Sequence, residues 1–444
     1  MSQRLKRTVI ATLLCLPAPA LPAGEDRPSQ RRMRQAWEAL KRLEVPGVAR
    51  DQRFAMPGPA FHVRPDGDDA ADGSKARPWR TLARACAALA PGRTVYLHAG
   101  TYPGPVTIEK VHATAEAPAA LRAAEGEAVV VRYPAAWIAA EKARIAKAGL
   151  EGNRHVVRDA AGKEIHYPPL MVVKDCRFVE ISGLHFIGAR DELPHNLYSE
   201  CGVRFRNGGG RGCRVLYNEI ERVGHCGVKS EGDVRGIQVE GNWIHDVGQT
   251  AHDHGLYFVG GELLFRRNLV VRAKGWGVHG YPRPEAMRIT HNVFLDNHCH
   301  GVILGGAGSQ VAHNVFAGNR KGGVFLFRGR CRDNRIANNI FLGPAPAVSI
   351  DTLGGKPGAR PTGNTIDHNL VARGAVLHKV ALSGNRVGPG NITAAAGLTD
   401  TAALDFRPRP GSPAVGAGVA LPNGARSDRP VNIGPYPPAD TDRP

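Results

Sequence analysis

From about residue 176 the chain alternates apolar and polar positions in short runs, as in VRGIQVEGNWI (234–244) and MRITHNVFL (287–295). Period-two alternation is the signature of strands with one buried face. The runs recur around Asn-x-aliphatic triplets: Asn218-Glu-Ile, Asn242-Trp-Ile, Asn268-Leu-Val, Asn292-Val-Phe, Asn314-Val-Phe, Asn339-Ile-Phe and Asn369-Leu-Val. Successive anchors are 24, 26, 24, 22, 25 and 30 residues apart. An earlier member, Ile181-Ser-Gly-Leu-His-Phe, carries Gly183 in the anchor place. Strands within a repeat of this length predict one turn of a parallel β-helix per repeat. The Asn residues read as structural, because Asn tolerates left-handed backbone and stacks into side-chain ladders.

A second mark keeps step with the first. It is a small residue, often Gly, followed by an aliphatic one: CGVRF (201–205), CGVKS (226–230), HGLYF (254–258), WGVHG (276–280), HGVIL (300–304) and GGVFL (322–326). Two weaker members follow, PAVSI (346–350) and GAVLH (374–378). Upstream, RRMRQAWEALKRLE (31–44) has helical spacing. In 61–102 the pattern predicts a short strand, an acidic Gly-rich turn, a helix over about 80–90 and a strand over 94–98. Residues 111–170 show no clear period and are expected to be an insertion.

The reading is an all-β, single-stranded right-handed parallel β-helix with an N-terminal helical cap. Its parts are a leader over 1–23, a helical segment over 24–60, the solenoid over 61–436 and a tail over 437–444. The leader reads as a secretory signal: Arg4, Lys6 and Arg7 precede an apolar stretch and then small residues near Ala20 and Ala23. Cys15 lies in Leu-Leu-Cys-Leu, a poor lipoprotein site. No apolar stretch is long enough to span a bilayer. The expected location is therefore secreted or periplasmic, and the expected state a monomer.

Composition adds a partner class. The 444 residues carry a formal charge of +18, and removing the three basic leader residues leaves +15. On an exported protein this favours acidic polysaccharide over nucleic acid, with a generic solvated surface as the plain alternative. Seven cysteines follow the leader, an odd number, and none forms a CxxC pair.

Two stretches carry a resemblance. DGDDAADGSKARPWRTLARACAALAPGRTVYLHAGTY (66–102) resembles the entry strand and capping helix of right-handed parallel β-helix proteins of the pectate-lyase-like superfamily, and DFRPRPGSPAVGAG…DRPVNIGPYP (405–437) resembles their C-terminal segment. The resemblance spans roughly 61–110 and 171–436. It implies architecture more than activity, since that fold carries lyases, hydrolases, uronate epimerases and binding proteins.

Aligning the second strands on the recurrent glycine gives columns of neighbours about 4.8 Å apart. The residue after the glycine is always Val or Leu and is expected to point inward. The next column then points outward: Arg204, Lys229, Tyr257, His279, Ile303 and Phe325. Two places on, the same face carries Arg206, Glu231, Val259 and Tyr281.

Such a patch suits an acidic sugar. Elimination from a uronate needs its carboxylate neutralised, the C5 proton removed and the leaving oxygen protonated. Lys229 beside Arg204 is the candidate base, since a neighbouring like charge favours the neutral amine. Tyr257 is the candidate proton donor, and His279 or His254 could take either role. Arg204, Arg206, His225, His252, Asp253, Trp276, Tyr281 and His300 are candidate substrate contacts. A lysine base on an outward strand is similar to what some β-helix lyases use, but their Arg-His-Gly element has no counterpart here.

Glu231 and Asp253 offer a hydrolase two carboxylates without an evident pairing. A non-catalytic carbohydrate-binding or envelope protein is the third reading. His252-x-His254 recurs as His298-x-His300, but two coils separate the pairs by about 10 Å, too far for one ion to bridge all four. No cofactor is required by this reading. Calcium would need Asp253 with Glu231 or Asp246, and no calcium-loop spacing is present. Whether His254, Trp276 and His300 face groove or core depends on where the turn ends. So does the stack Cys201–Cys226, which fits a disulfide or two buried thiols.

Overall fold

The computed structural model describes residues 29–147, 167–193, 200–232, 234–282, 284–351, 360–372, 377, 384–422 and 430–437. The expected leader and nearly all of the expected tail lie outside these.

Each repeat supplies one strand to each of three parallel sheets, here called A, B and C. A representative coil runs through Cys201–Arg206 in sheet C, Arg214–Leu216 in A and Glu219–Glu221 in B, then returns to C at Cys226–Ser230. Sheet A has 12 described strands, from Ala60–Val63 to Arg386–Val387. Sheet B has 11, from Gly100–Pro103 to Ile392–Ala394, and sheet C has nine, from Val106–Glu109 to Val348–Ile350. One antiparallel pair, Leu398–Asp400 with Asp405–Pro408, follows the solenoid.

The interior is filled by like-on-like columns. Val203, Val228, Leu256, Val278, Val302 and Val324 form the expected inward column of sheet C, all buried. Sheet B contributes Ile220, Ile244, Val270, Phe294, Phe316 and Phe341. The three Phe rings stack at 5.0 and 4.9 Å between centroids. Stacking identical side chains at the coil pitch buries each against two copies of itself, so the core grows with every coil.

The Asn anchors stand at the turn from sheet A to sheet B and form a continuous ladder through Asn218, Asn242, Asn268, Asn292, Asn314, Asn339, Asn369 and Asn391. Each Oδ1 accepts both the backbone N–H and the Nδ2–H of the Asn one coil before it. The left-handed backbone falls one residue earlier than expected, at Tyr217, Arg267, His291, His313, Asn338 and His368, with φ between 50° and 59°. Gly183 belongs to that left-handed column, with φ of 76°. The first coil of the ladder has Leu184 in the anchor place, where its N–H donates to Asn218 Oδ1.

The helix read from 31–44 is α1, Gln30–Lys41, capped by Ser29. It lies along the outside of sheet B, with Met33, Trp37 and Leu40 against Trp243, Leu269 and Val271. The segment after 397 covers the rest of that face through Leu404, Phe406 and Ile433. The helix expected near 80–90 is α2, Leu82–Ala88, and it closes the open end of the core. Sheet A's outer face carries a buried ionic layer, Glu180 with Arg122 and Glu240 with Arg266 and Arg267. Residues of the 43–54 segment bond to it.

The expected insertion is shorter than read. Ala119–Ala123 takes its place in sheet A between Thr94–Leu97 and Val179–Ser182, and Val129–Arg132 does so in sheet B. These strands, AALRA and VVVR, have no Asn anchor between them, so they carry no mark of the repeat. What departs from the solenoid begins with α3, Ala135–Lys147. Where α1, the 43–54 segment and the segment after 397 cover parts of sheets A and B, no such cover among the described residues lies over the sheet C side chains Arg206, Glu231, Tyr257, Val259, His279 and Tyr281, which are half-exposed.

Candidate functional site

The register of sheet C aligns Arg204, Lys229, Tyr257, His279, Ile303 and Phe325 in one row across consecutive coils. At one end of the row Glu231 gathers the cations. Arg204 bonds its Oε1, Arg206 Nε lies 3.0 Å from its Oε2, and Lys229 Nζ lies 3.8 Å from its Oε1. These contacts outweigh burial and hold the Glu231 carboxyl below its ordinary value. Three positive groups around one carboxylate leave local positive charge to meet an anionic ligand. The sequence reading placed Glu231 on this face but not at the hub of the cations. Its face was legible, since Glu231 is two residues beyond Lys229, but its contacts with the arginines were not.

The middle of the row is an aromatic stack. Lys229 Nζ lies 5.6 Å from the Tyr257 ring centroid. His279 packs between Tyr257 at 4.8 Å, His254 at 4.4 Å and Trp276 at 5.0 Å. His254 Nδ1 accepts the backbone N–H of Trp276 at 3.3 Å, which leaves its ring proton on Nε2. Burial lowers the pKa of both imidazoles, His254 well below the usual range and His279 to about 3, so both are neutral at pH 7.

These contacts settle the direction of the column before the glycine. His254 and Trp276 touch the outward residue His279, and His300 stacks on outward Phe325 at 4.9 Å. All three lie outside the core. Strict alternation would have turned them inward, and the glycine is where alternation breaks. A Cβ on Gly227 would lie 2.5 Å from Ile244 Cγ2, and one on Gly277 would lie 2.6 Å from Phe294 Cδ1. The glycines therefore face the core themselves, closely opposed to sheet B, and so does the residue after them. The residue before is turned out.

Beyond the stack the row becomes apolar. Trp276, Cys299, Ile303, Phe325 and Phe327 form a small separate cluster with Tyr281 at its edge. Arg328 donates to the Tyr281 hydroxyl at 2.7 Å. Burial pushes His300 down to about 3.

Along the turn edge lies a second group. Asp253 is fully buried. Its Oδ2 accepts the backbone N–H groups of Gln249 and Thr250 at 2.9 and 2.6 Å. Its Oδ1 has no hydrogen-bond partner and lies 3.7 Å from His225 Nε2. Burial raises the Asp253 carboxyl above its ordinary value. His225 Nδ1 is in turn 3.9 Å from Cys201 Sγ, and Cys226 Sγ is 4.0 Å from His225 Nε2. Both thiols are buried and outward of the core, and neither is in a disulfide. Burial opposes ionisation of Cys201, but hydrogen bonds from Cys226 and His225 bring it well below its ordinary value, while Cys226 is pushed up. His252 stands half-exposed on the adjoining turn.

Several buried polar atoms without partners fall on this strip: Asp253 Oδ1, Trp276 Nε1, His279 Nδ1 and His300 Nδ1. Each costs about 1–3 kcal/mol if left unmet, so their concentration on one face marks it for a ligand or ordered water. The carboxylates considered for calcium are engaged apart. Glu231 holds the arginines, Asp253 faces His225, and Asp246 binds His245 and Arg272.

Neither a protein-family model nor a curated protein sequence matches the chain. Solved structures do. A pectate lyase, Pel9A, superposes with a TM-score of 0.59 over 87% of this chain and 98% of its own, at 14% identity. A structure described as a glycoside hydrolase gives 0.50 over 76% of this chain and 96% of its own, at 11% identity. A PL6 family polysaccharide lyase from Pseudopedobacter saltans gives 0.44, at 14% identity. Identities this low establish fold and leave the reaction open. By its three parallel sheets and this likeness, the chain has a right-handed parallel β-helix fold, similar to that of pectate lyase Pel9A.

Proposed function

We propose that the protein is an exported carbohydrate-active β-helix protein that cleaves a uronate-containing polysaccharide by β-elimination on the outer face of sheet C. The observation that carries this reading is the row Arg204–Lys229–Tyr257–His279, cationic at one end and aromatic at the other, with Glu231 fixing the cations. Arg206 and Arg204 would neutralise the uronate carboxylate, acidifying the C5 proton. Lys229 is the candidate base and Tyr257 the candidate donor to the leaving oxygen. His279, His254 and Trp276 would line the sugar face, and His225, His252, Asp253, Tyr281 and His300 its margins. A C5 epimerase shares the proton-abstraction step.

A hydrolase is favoured by one observation: burial raises the Asp253 carboxyl while the arginines lower Glu231. Two carboxyls pushed apart in this way can divide acid and base roles.

The test is purified protein on a panel of acidic and neutral polysaccharides. Elimination gives ultraviolet absorbance from the unsaturated uronate, and that signal should vanish in Lys229→Ala. Reducing ends released from neutral glycans without that absorbance would replace the lyase by the hydrolase. Binding without either signal would make this a carbohydrate-binding protein.

A further inference from the structure

Outside the sheet C site, two adjacent coils of sheet B bring His185, Glu219 and Glu221 together. The register sets Glu219 beside His185, and Glu221 two residues on shares the same outward face. His185 Nε2 lies 3.0 Å from Glu221 Oε1 and 3.8 Å from Glu219 Oε1. The three donor atoms all fall within 4.8 Å of one another. An ion bonded at 2.0–2.2 Å to nitrogen and oxygen ligands holds neighbouring donors roughly 3.0–3.5 Å apart, so side-chain rotation that closes the widest gap by up to about 1.3 Å would complete three corners of a coordination shell.

The surroundings fit such a shell. His245 Nε2 lies 3.3 Å from Glu219 Oε1, and its Nδ1 lies 2.9 Å from Asp246, which fixes the ring. Arg34 of α1 reaches both Glu219 oxygens, the shorter contact being 2.9 Å to Oε2. Carboxylate ligands supported by such outer partners keep their orientation. The His185 side chain is 27% exposed, which leaves a path for the ion and room for water ligands.

We propose that His185, Glu219 and Glu221 form a binding site for a first-row divalent ion of the Zn²⁺ class. One imidazole and two carboxylates suit that class, whereas calcium takes six to eight oxygen ligands. The site lies on sheet B beside α1, away from the sheet C face, and does not depend on the lyase reading.

The experiment is calorimetric titration of the EDTA-treated full chain with ZnCl₂ and, separately, CaCl₂. The expected result is one zinc equivalent that disappears in His185→Ala and in Glu221→Gln, persists in His298→Ala, and has no calcium counterpart. Circular dichroism confirms that each variant is folded. If His185→Ala is not, the zinc-induced rise in melting temperature should be present in the wild type and absent in Glu221→Gln. No zinc uptake, the same uptake in folded His185→Ala or Glu221→Gln, or loss on His298→Ala would each overturn the proposal.

Discussion

Asp253 reaches from its own coil toward His225 in the coil before, setting Oδ1 3.7 Å from the imidazole Nε2 with no hydrogen-bond partner of its own. Its other oxygen holds the turn through the Gln249 and Thr250 N–H groups. The two tasks separate by substitution. Asp253→Ala removes both acceptors and should destabilise the fold by about 2 kcal/mol. Asp253→Asn keeps an acceptor for the turn and should melt at or above the wild-type temperature at pH 7, because no buried charge remains. If the carboxylate orients His225 for chemistry, Asp253→Asn lowers kcat at least tenfold with little change in KM. An Asp253→Asn protein as active as wild type confines Asp253 to the turn.

The glycines of sheet C face sheet B at close range, and a methyl group at Gly277 would press on both the Phe294 ring and the Gly301 carbonyl, at 2.6 Å each. Overpacking of this kind costs about 1–3 kcal/mol. Gly277→Ala should lower the denaturant midpoint by a corresponding amount. It should also disturb His254 and Trp276, which pack across that turn. Unchanged stability would mean that the coil pitch yields more readily than the contacts imply.

His300 is buried against Phe325, and burial holds its pKa at about 3. A depressed folded-state pKa means that the unfolded chain binds the proton first. The stability is therefore fully present above the ordinary histidine value of 6.5 and is lost as pH falls toward 3. Between pH 7 and pH 5 this one group should remove about 2 kcal/mol. Replacing it with an isosteric apolar ring, His300→Phe, should flatten the acid limb of the stability–pH curve by that amount. Chemical denaturation at the two pH values measures it. His254 and His279 shift in the same direction, so the wild-type protein should lose stability steeply over this range.

The solenoid was legible because each coil repeats its chemistry: Asn218, Asn242 and their successors bond to one another, and no other residue type reproduces both contacts. Further ladders run through Asn334, Asn364 and Asn385, and through Asn297 and Asn319. Both could have been found, since Asn334 and Asn364 each stand five residues before an anchor and Asn297 and Asn319 each stand five after one. The coil through Ala119–Ala123 could not, having no ladder residue to announce it. At the site, the row from Arg204 to Phe325 followed from strand alternation alone. The outward turn of His254, Trp276 and His300 did not. It depends on close packing between Gly277 and Phe294, residues of different sheets in neighbouring turns. The bridge from Glu231 to the arginines depends on rotamers, which no pattern of letters encodes.

Because the recurrent glycine takes the inward place at the start of six consecutive sheet C strands, from Gly202 to Gly323, the residue before it has no duty in the core. That position holds Cys201, Cys226, His254, Trp276 and His300 in successive coils, a range of size and chemistry that no interior column shows. The scaffold thus separates what must be inherited unchanged from what can be rewritten. A lineage can exchange these side chains one coil at a time, altering the chemistry of the sheet C face while the folding code beneath stays the same.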